Sequence, residues 1–308
     1  MNNEFARLLR DQHQVGHFLN SVLKIDPKEF KDIAYRIITC ETGIIDGLEN
    51  PTSRSAKFRD PRYQNDKERL ALRERIVKEL FEMPLLDRDD KLRLGKGGAR
   101  PIEVKSERKA FIIIGLPASG KSAVAFRFAN EFGAMILDAD FSKRKLPEFA
   151  KYPWGASIVH KEASEMIFSR DKTGFESLFY KATRANYNLV IPKIGASHVK
   201  VLWICNLLKE MKYEVHLTLV YLSREKATLR ALTRYKNTDR YVPLARIFDV
   251  YSQNPCLTYF FLKNKKGDRF DSFGVINTDV PVGEQPKCSD FLGDSPAKKY
   301  EIDLDLII

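Results

Sequence analysis

The chain has 308 residues, 44% of them hydrophobic, and carries 52 Lys and Arg against 41 Asp and Glu, a formal charge of +11. That length suffices for one large domain, or a domain with a smaller companion, around a real core. The sequence has no run of about 18 apolar residues, which argues against a membrane span, and none of its four cysteines forms a CxxC pair, which argues against a zinc site or disulfide framework.

In chain order, residues 4–24 read as a helix with Phe5, Leu8, Leu9, Val15, Phe18, Leu19 and Leu23 on one face. They lack the apolar core of a secretory signal, so a cytoplasmic location is expected. His13 and His17 share a helix face but have no third ligand nearby and read as ordinary helix residues. A second helix is predicted from "DPKEFKDIAYRIITC", where Asp26 can cap and Pro27 suits the first position. "GLENPTSRSAKFRDPRYQ" carries Pro51 and Pro61 and reads as a linker. Asn65 to Phe81 is a charged helix, and "GKGGARP" breaks the chain after it.

From there strands alternate with helices: "AFIIIG", a helix from Lys121, "AMILDAD", a helix near 156–169, "YNLVIP", a helix near 197–212, then "EVHLTLVYL". This alternation predicts an α/β fold, a parallel sheet sandwiched by helices, behind an N-terminal helical extension. "RFDSFGVINT" and "YEIDLDLII" read as strands added at an edge. The expected division is 1–60 as a helical extension, 61–265 as the core and 266–308 as a C-terminal extension.

The chemistry starts at "GLPASGKS", residues 115–122, which matches GxxxxGK followed by Ser or Thr, with a strand before it and a helix after it. Such a loop turns its backbone N–H groups inward, and the helix N-terminus behind it favours negative charge. Gly115, Pro117, Ala118, Ser119, Gly120, Lys121, Ser122 and Ala123 are therefore the candidate nucleotide cradle. Lys121 would reach the β- and γ-phosphates and the Ser122 hydroxyl would ligate Mg²⁺.

In the next strand Asp138 and Asp140 are two apart, hence on one face, where parallel sheets open onto ligands. Asp140 is the candidate base that orients an acceptor hydroxyl, and Asp138 the candidate for the magnesium shell through water. The plainer alternative has both as solvated residues capping the next helix. Arg230 and Arg234 share a face of a later helix, and Arg240 follows in a predicted loop; arginines placed so can stabilise transition-state charge.

The pieces "GLPASGKS", "LDADFSKRKLPEF", "HKEASEMIF", "NYNLVI" and "TLRALTRYKNTDRYVP", in this order over roughly residues 65–262, resemble the zeta toxin kinases. The resemblance implies a P-loop core that uses ATP and Mg²⁺ to phosphorylate a hydroxyl of a small metabolite, in the best-known members a UDP-linked amino sugar. It implies catalytic roles for Lys121, Asp140, Arg234 and Arg240, and a substrate-side carboxylate at Glu165.

One departure counts against that sugar. Members that use it carry an "EGT.R"-type run after the third strand, whereas this chain has "NLVIPKIGAS", with Pro192, Lys193, Ile194 and Ala196 in those places. Each charged hydrogen bond of such a grip contributes about 1.5–3 kcal/mol. Lys193 instead suits a phosphorylated or otherwise anionic acceptor, or is an ordinary strand-end lysine. His160 fits either a hydrogen bond to the acceptor or a structural role, and Trp154 either stacking on a ring or packing.

The expected partners are thus a small anionic acceptor and, by analogy with the family's helical antitoxins, either a separate antitoxin or self-inhibition by the N-terminal helices. The +11 charge also leaves room for a polynucleotide kinase, although no aromatic-interleaved basic motif is present. A non-catalytic nucleotide-binding interaction module is the remaining alternative.

Overall fold

Continuous apolar runs build the centre of the computed structural model, which describes residues 4–26, 28, 30–169, 174–238, 240–281 and 284–301. Ala110 to Ile114 in β1 (Lys109–Ile114) and Leu189 to Ile191 in β3 (Asn188–Lys193) are all buried, as strands covered on both faces must be. With β2 (Ala134–Ile136), β4 (Glu214–Tyr221), β5 (Ser272–Asn277) and β6 (Lys287–Leu292) they form one sheet in the order β2-β3-β1-β4-β5-β6. The first five strands are parallel and β6 alone runs antiparallel to its neighbour.

In chain order the helices are α1 (Gln12–Ser21), α2 (Phe30–Glu49), α3 (Asp66–Glu82), α4 (Lys121–Glu131), α5 (Ala139–Lys145), α6 (Glu148–Lys151), α7 (Gly155–Ile158), α8 (His160–Phe168), α9 (Leu178–Arg184), α10 (His198–Glu210), α11 (Arg224–Thr238) and α12 (Asn254–Lys266). A large buried cluster surrounds the sheet. A second joins Phe5 through Ile44 of the N-terminal segment to Leu116, Leu232, Tyr235, Tyr241 and Ile247.

The expected fold class holds, with local corrections. The helix predicted over 4–24 is confined to α1, where Asp11 caps by accepting from Gln14 N–H at 2.8 Å. Phe5 and Leu9 are buried all the same, so their spacing reported burial and not helicity. The helix placed at "DPKEFKDIAYRIITC" runs on to Glu49, through part of the expected linker; Pro27 lies outside the described residues.

The rest of that linker is fastened to the core, since Thr52 donates to Glu162 and Arg59 Nε donates to Thr52 O at 2.8 Å. The helix near 156–169 is two helices that meet at Val159. At the C-terminus β5 lies inside the sheet and not at its edge, because its burial pattern leaves only Asn277 partly exposed. The edge belongs to β6. Of "YEIDLDLII", residues 302–308 lie outside the described ones, and the preceding stretch is a 3₁₀ turn.

Candidate functional site

The loop between β1 and α4 is shaped by two glycines. A Cβ on Gly115 would stand 2.3 Å from the carbonyl oxygen of Val220, so no side chain fits there. Gly120 takes φ +93° directly before α4, a conformation that favours glycine. Gly115 N–H donates to Ile194 O at 3.1 Å, Ser119 N–H to Leu116 O at 3.2 Å, and the Thr278 hydroxyl to Ser119 O at 2.8 Å.

Pro117 and Ala118 are half-buried, whereas Ser122 and Ala123 are exposed on the first turn of α4. The loop is therefore braced from behind and open in front. Lys121 Nζ donates to Leu116 O. Burial lowers this ammonium's pKa to about 8 against the pull of Asp138 and Asp140, with Arg234 adding to the drop.

The two aspartates do not share a strand. β2 ends at Ile136, Asp138 caps α5 by accepting from Asp140 N–H at 2.9 Å, and Asp140 sits in the first turn of that helix. A carboxylate at an N-cap satisfies an orphan N–H, and this local bond ends the strand early. Both still face the cleft, yet their environments push them apart. Burial and the neighbouring Asp140 charge raise Asp138 to about 6. Asp140 is held well below the usual carboxylate range, first by the charge of Lys143, whose Nζ is 2.7 Å from Oδ1, with Arg240 and Arg144 adding to it.

Arg234 is half-buried and its Nε has no hydrogen-bond partner among the described residues. The Arg240 guanidinium lies 5.3 Å over the Phe149 ring, with Arg144 over the same ring at 5.8 Å. Burial, then Arg144 and Arg234, lower the Arg240 pKa to about 10, with Asp140 and Asp89 opposing. Lys193, at the end of β3, rests 3.6 Å over Phe168; burial takes it down to about 8 against the field of Asp138. His160 begins α8 and is lowered to about 4, by desolvation first and then by Lys143, so its imidazole is neutral at physiological pH.

Lys121, Asp138, Asp140, His160, Lys193, Arg234 and Arg240 thus act on one another in one cleft. Glu165 stands apart from them. Burial raises it, and the charges that act on it are Arg73, Lys161, Glu162 and Arg54. Trp154 packs, stacking on Tyr152 at 5.2 Å and covering Gly43 of α2. Sequence reading missed Lys143, Arg144 and Phe149 and placed Phe168 only on a helical stripe with His160; Lys143 and Arg144 left a signal, their i,i+3 and i,i+4 spacing from Asp140.

Among the described residues, no cluster of three His, Cys, Asp or Glu could hold a metal unaided. The exposed Ser122 hydroxyl and Asp138, without an ion-pair partner among the described residues, fit a hard cation shared with phosphate oxygens. No helix among these residues is long and apolar enough to cross a membrane, and none of the four cysteines is in a disulfide.

A phosphate-binding loop at the C-terminal edge of a parallel sheet, with acids on the adjacent helix and arginines opposite, defines a P-loop protein of the kinase-like type. Within that class the zeta toxin profile matches residues 98–261, and the chain belongs to the zeta toxin family. No curated protein matches it. Among solved structures, one from the PezAT chromosomal toxin-antitoxin system of Streptococcus pneumoniae is similar over 64% of this chain and 79% of its own, at 21% identity and a TM-score of 0.48. Another, an AvrRxo1-ORF1:-ORF2 complex, is similar over 79% of this chain and 72% of its own, at 16% identity and a TM-score of 0.43. The AvrRxo1-ORF1:-ORF2 structure with ATP covers 96% of this chain and 78% of its own, at 14% identity and a TM-score of 0.39.

Proposed function

We propose that the protein is a toxin-type kinase that moves the γ-phosphoryl group of ATP to a hydroxyl of a small anionic metabolite, such as a sugar nucleotide or dinucleotide. The observation that carries this reading is that Lys121 at the start of α4 and Asp140 at the start of α5 lie close enough for their charges to act on each other, beside the exposed first turn of α4 at Ser122 and Ala123. A triphosphate seated on the loop amides would place its γ-phosphorus between them.

In this scheme Gly115, Pro117, Ala118, Ser119, Gly120 and Ala123 shape the cradle, and Lys121 holds the β- and γ-oxygens. Ser122 and Asp138, the latter through water, would hold Mg²⁺, which when bound supplies charge neutralisation between the two phosphates. Asp140 orients the acceptor hydroxyl and takes its proton at Oδ2, the oxygen not paired with Lys143. Arg234 and Arg240 stabilise charge on the transferring group. Lys193 attracts an anionic acceptor, the neutral His160 offers it a hydrogen bond, and Glu165 would join only where the acceptor extends toward Arg73.

We place this activity in the cytoplasm, with residues 61–265 as its core and 266–308 adding strands to it. Control would come from an antitoxin protein or from the segment 1–60. As placed, α1 and α2 rest on α11 and Leu116 and leave Ser122 exposed, so self-inhibition would need a shift of that segment.

The test uses γ-labelled ATP, the purified protein and a metabolite extract. One class of anionic small molecules should acquire label, and Asp140→Asn should cut transfer by about 10²–10⁴-fold while nucleotide binding survives. Transfer at the normal rate in Asp140→Asn would remove the assignment. Binding without transfer in the unaltered protein would leave a nucleotide-binding module instead.

A further inference from the structure

Each arginine proposed for the γ-phosphate is followed directly by a tyrosine: Arg234-Tyr235 and Arg240-Tyr241. Both tyrosines are buried, and their rings meet edge-on at 5.0 Å and 70°. Both are fastened to α2, nearly 200 residues away in the chain. Tyr235 OH donates to Arg36 O at 3.2 Å and lies 3.2 Å from Cys40 Sγ, while the Arg36 guanidinium sits 4.8 Å over its ring. Tyr241 OH donates to Glu41 Oε1, and its backbone N–H donates to Pro153 O at 3.3 Å.

Glu41 is wholly buried and its other oxygen has no hydrogen-bond partner among the described residues, where Tyr241 is the group that binds this carboxyl. α2 is itself seated by close approach. A Cβ on Gly43 would stand 2.3 Å from the Trp154 ring, and one on Gly47 2.9 Å from Ile158 Cγ1. Only glycine lets the helix lie this near.

We infer that α2 belongs to the phosphoryl-transfer machinery: through Glu41–Tyr241 and Cys40–Tyr235 it positions Arg240 and Arg234 over the cleft. This rests on the kinase reading above. Arg240 lies in the coil after α11 with its guanidinium over Phe149, and Arg234 sits in the last turns of α11 with no hydrogen-bond partner for Nε among the described residues, so the buried tyrosine next to each ties these two stretches to α2. A polar bond buried between two segments fixes their relative position more strictly than apolar contact, because any slip leaves a buried polar group unpaired. Tyr241 and Glu41 are positioning residues.

The test compares Tyr241→Phe, Glu41→Leu and Glu41→Gln in the full chain, with kcat and KM for ATP, thermal midpoint and hydrogen exchange over residues 234–246 measured for each. Tyr241→Phe and Glu41→Leu should lower kcat on the order of ten- to a hundredfold, with KM for ATP within about twofold, because misplacement by an ångström costs that much. Glu41→Gln, whose amide oxygen accepts the same bond, should recover most of the rate lost in Glu41→Leu. Wild-type kcat in Tyr241→Phe, or losses that track the thermal midpoint alone without rescue by Glu41→Gln, would overturn the inference. If the unaltered protein transfers no phosphoryl group, the kinase reading fails; faster exchange over 234–246 in Glu41→Leu would still support the anchoring, and unchanged exchange would sink it.

Discussion

Lys143 Nζ sits 2.7 Å from Asp140 Oδ1, three residues along the same helix. A carboxylate so paired is ionised over the whole physiological range, and in the proposed transfer it would accept a proton readily only once its partner is drawn away.

The first prediction concerns that pair. Lys143→Met should raise the Asp140 pKa from its depressed position toward the usual carboxylate value of about 3.9. A depressed carboxylate contributes stability above its unfolded pKa and loses it as pH falls through the folded one. With the Asp140 side chain 48% exposed, that contribution is small. The readout is the acid limb of kcat/KM, which should move to higher pH in the variant. An acid limb that stays in place would show that Lys143 does not set the carboxylate's ionisation.

Gly115→Ala supplies the second. Its Cβ would meet the Val220 carbonyl oxygen at 2.3 Å and Ser119 Oγ at 2.9 Å, and a backbone atom of a central strand cannot step aside. Overpacking of this kind costs about 1–3 kcal/mol. The loop must lift from β4, so ATP affinity should fall along with urea stability. Equal ATP affinity in the variant would mean that the loop's shape does not depend on this contact.

The phosphate loop was legible in the sequence because its determinants are local: two glycines and a lysine at fixed spacing between a strand and a helix. Asp138 and Asp140 were legible as a pair but not as placed, since an N-cap bond between neighbours converts a strand end into a helix start. Glu165 was assigned by resemblance, and the charges that act on it are Arg73 and Arg54 of the N-terminal half with Lys161 and Glu162 of its own helix. The Tyr241–Glu41 bond spans 200 residues and no periodicity announces it. The linker reading of 47–64 failed for the same reason, because proline and polar residues mark turns whether or not Thr52 and Arg59 are bound from afar.

The third prediction is a pH dependence of stability. Glu41 faces Tyr241 directly and Arg246 and Arg10 at longer range; burial raises its pKa from 4.5 to about 7. Because the folded state holds this proton more tightly, the stabilisation is fully present below pH 4.5 and is lost as pH rises through about 7. The span corresponds to on the order of 3 kcal/mol, from 1.36 kcal/mol per pKa unit. Denaturation midpoints measured from pH 4.5 to 8 should fall for the native chain, and Glu41→Gln should flatten that interval. A native profile already flat there would mean that Glu41 titrates like an exposed carboxyl.

The fourth concerns how the N-terminal half is joined to the core. Arg69 of α3 donates through Nη1 to Glu148 at 2.7 Å and through Nη2 to Glu162 at 2.6 Å, with all three side chains no more than 1% exposed. Arg73 also reaches Glu162 at 2.7 Å, and Asp60 N–H donates to Glu148 Oε1 at 2.7 Å. Burial alone would raise the Glu162 pKa; Arg69, with Arg73 and Thr52, reverses that and lowers it. Removing the arginine leaves Glu148 buried with the Asp60 N–H but no cation, and Glu162 with Arg73 and Thr52 alone, so Arg69→Met should destabilise by about 3–5 kcal/mol. Adding Glu148→Gln and Glu162→Gln removes the stranded charges, and the triple variant should regain much of that loss in chemical denaturation. A triple variant less stable than Arg69→Met would mean that the glutamates stabilise the fold through bonds independent of Arg69, with Arg73, Thr52 and Asp60 N–H as the groups to examine next.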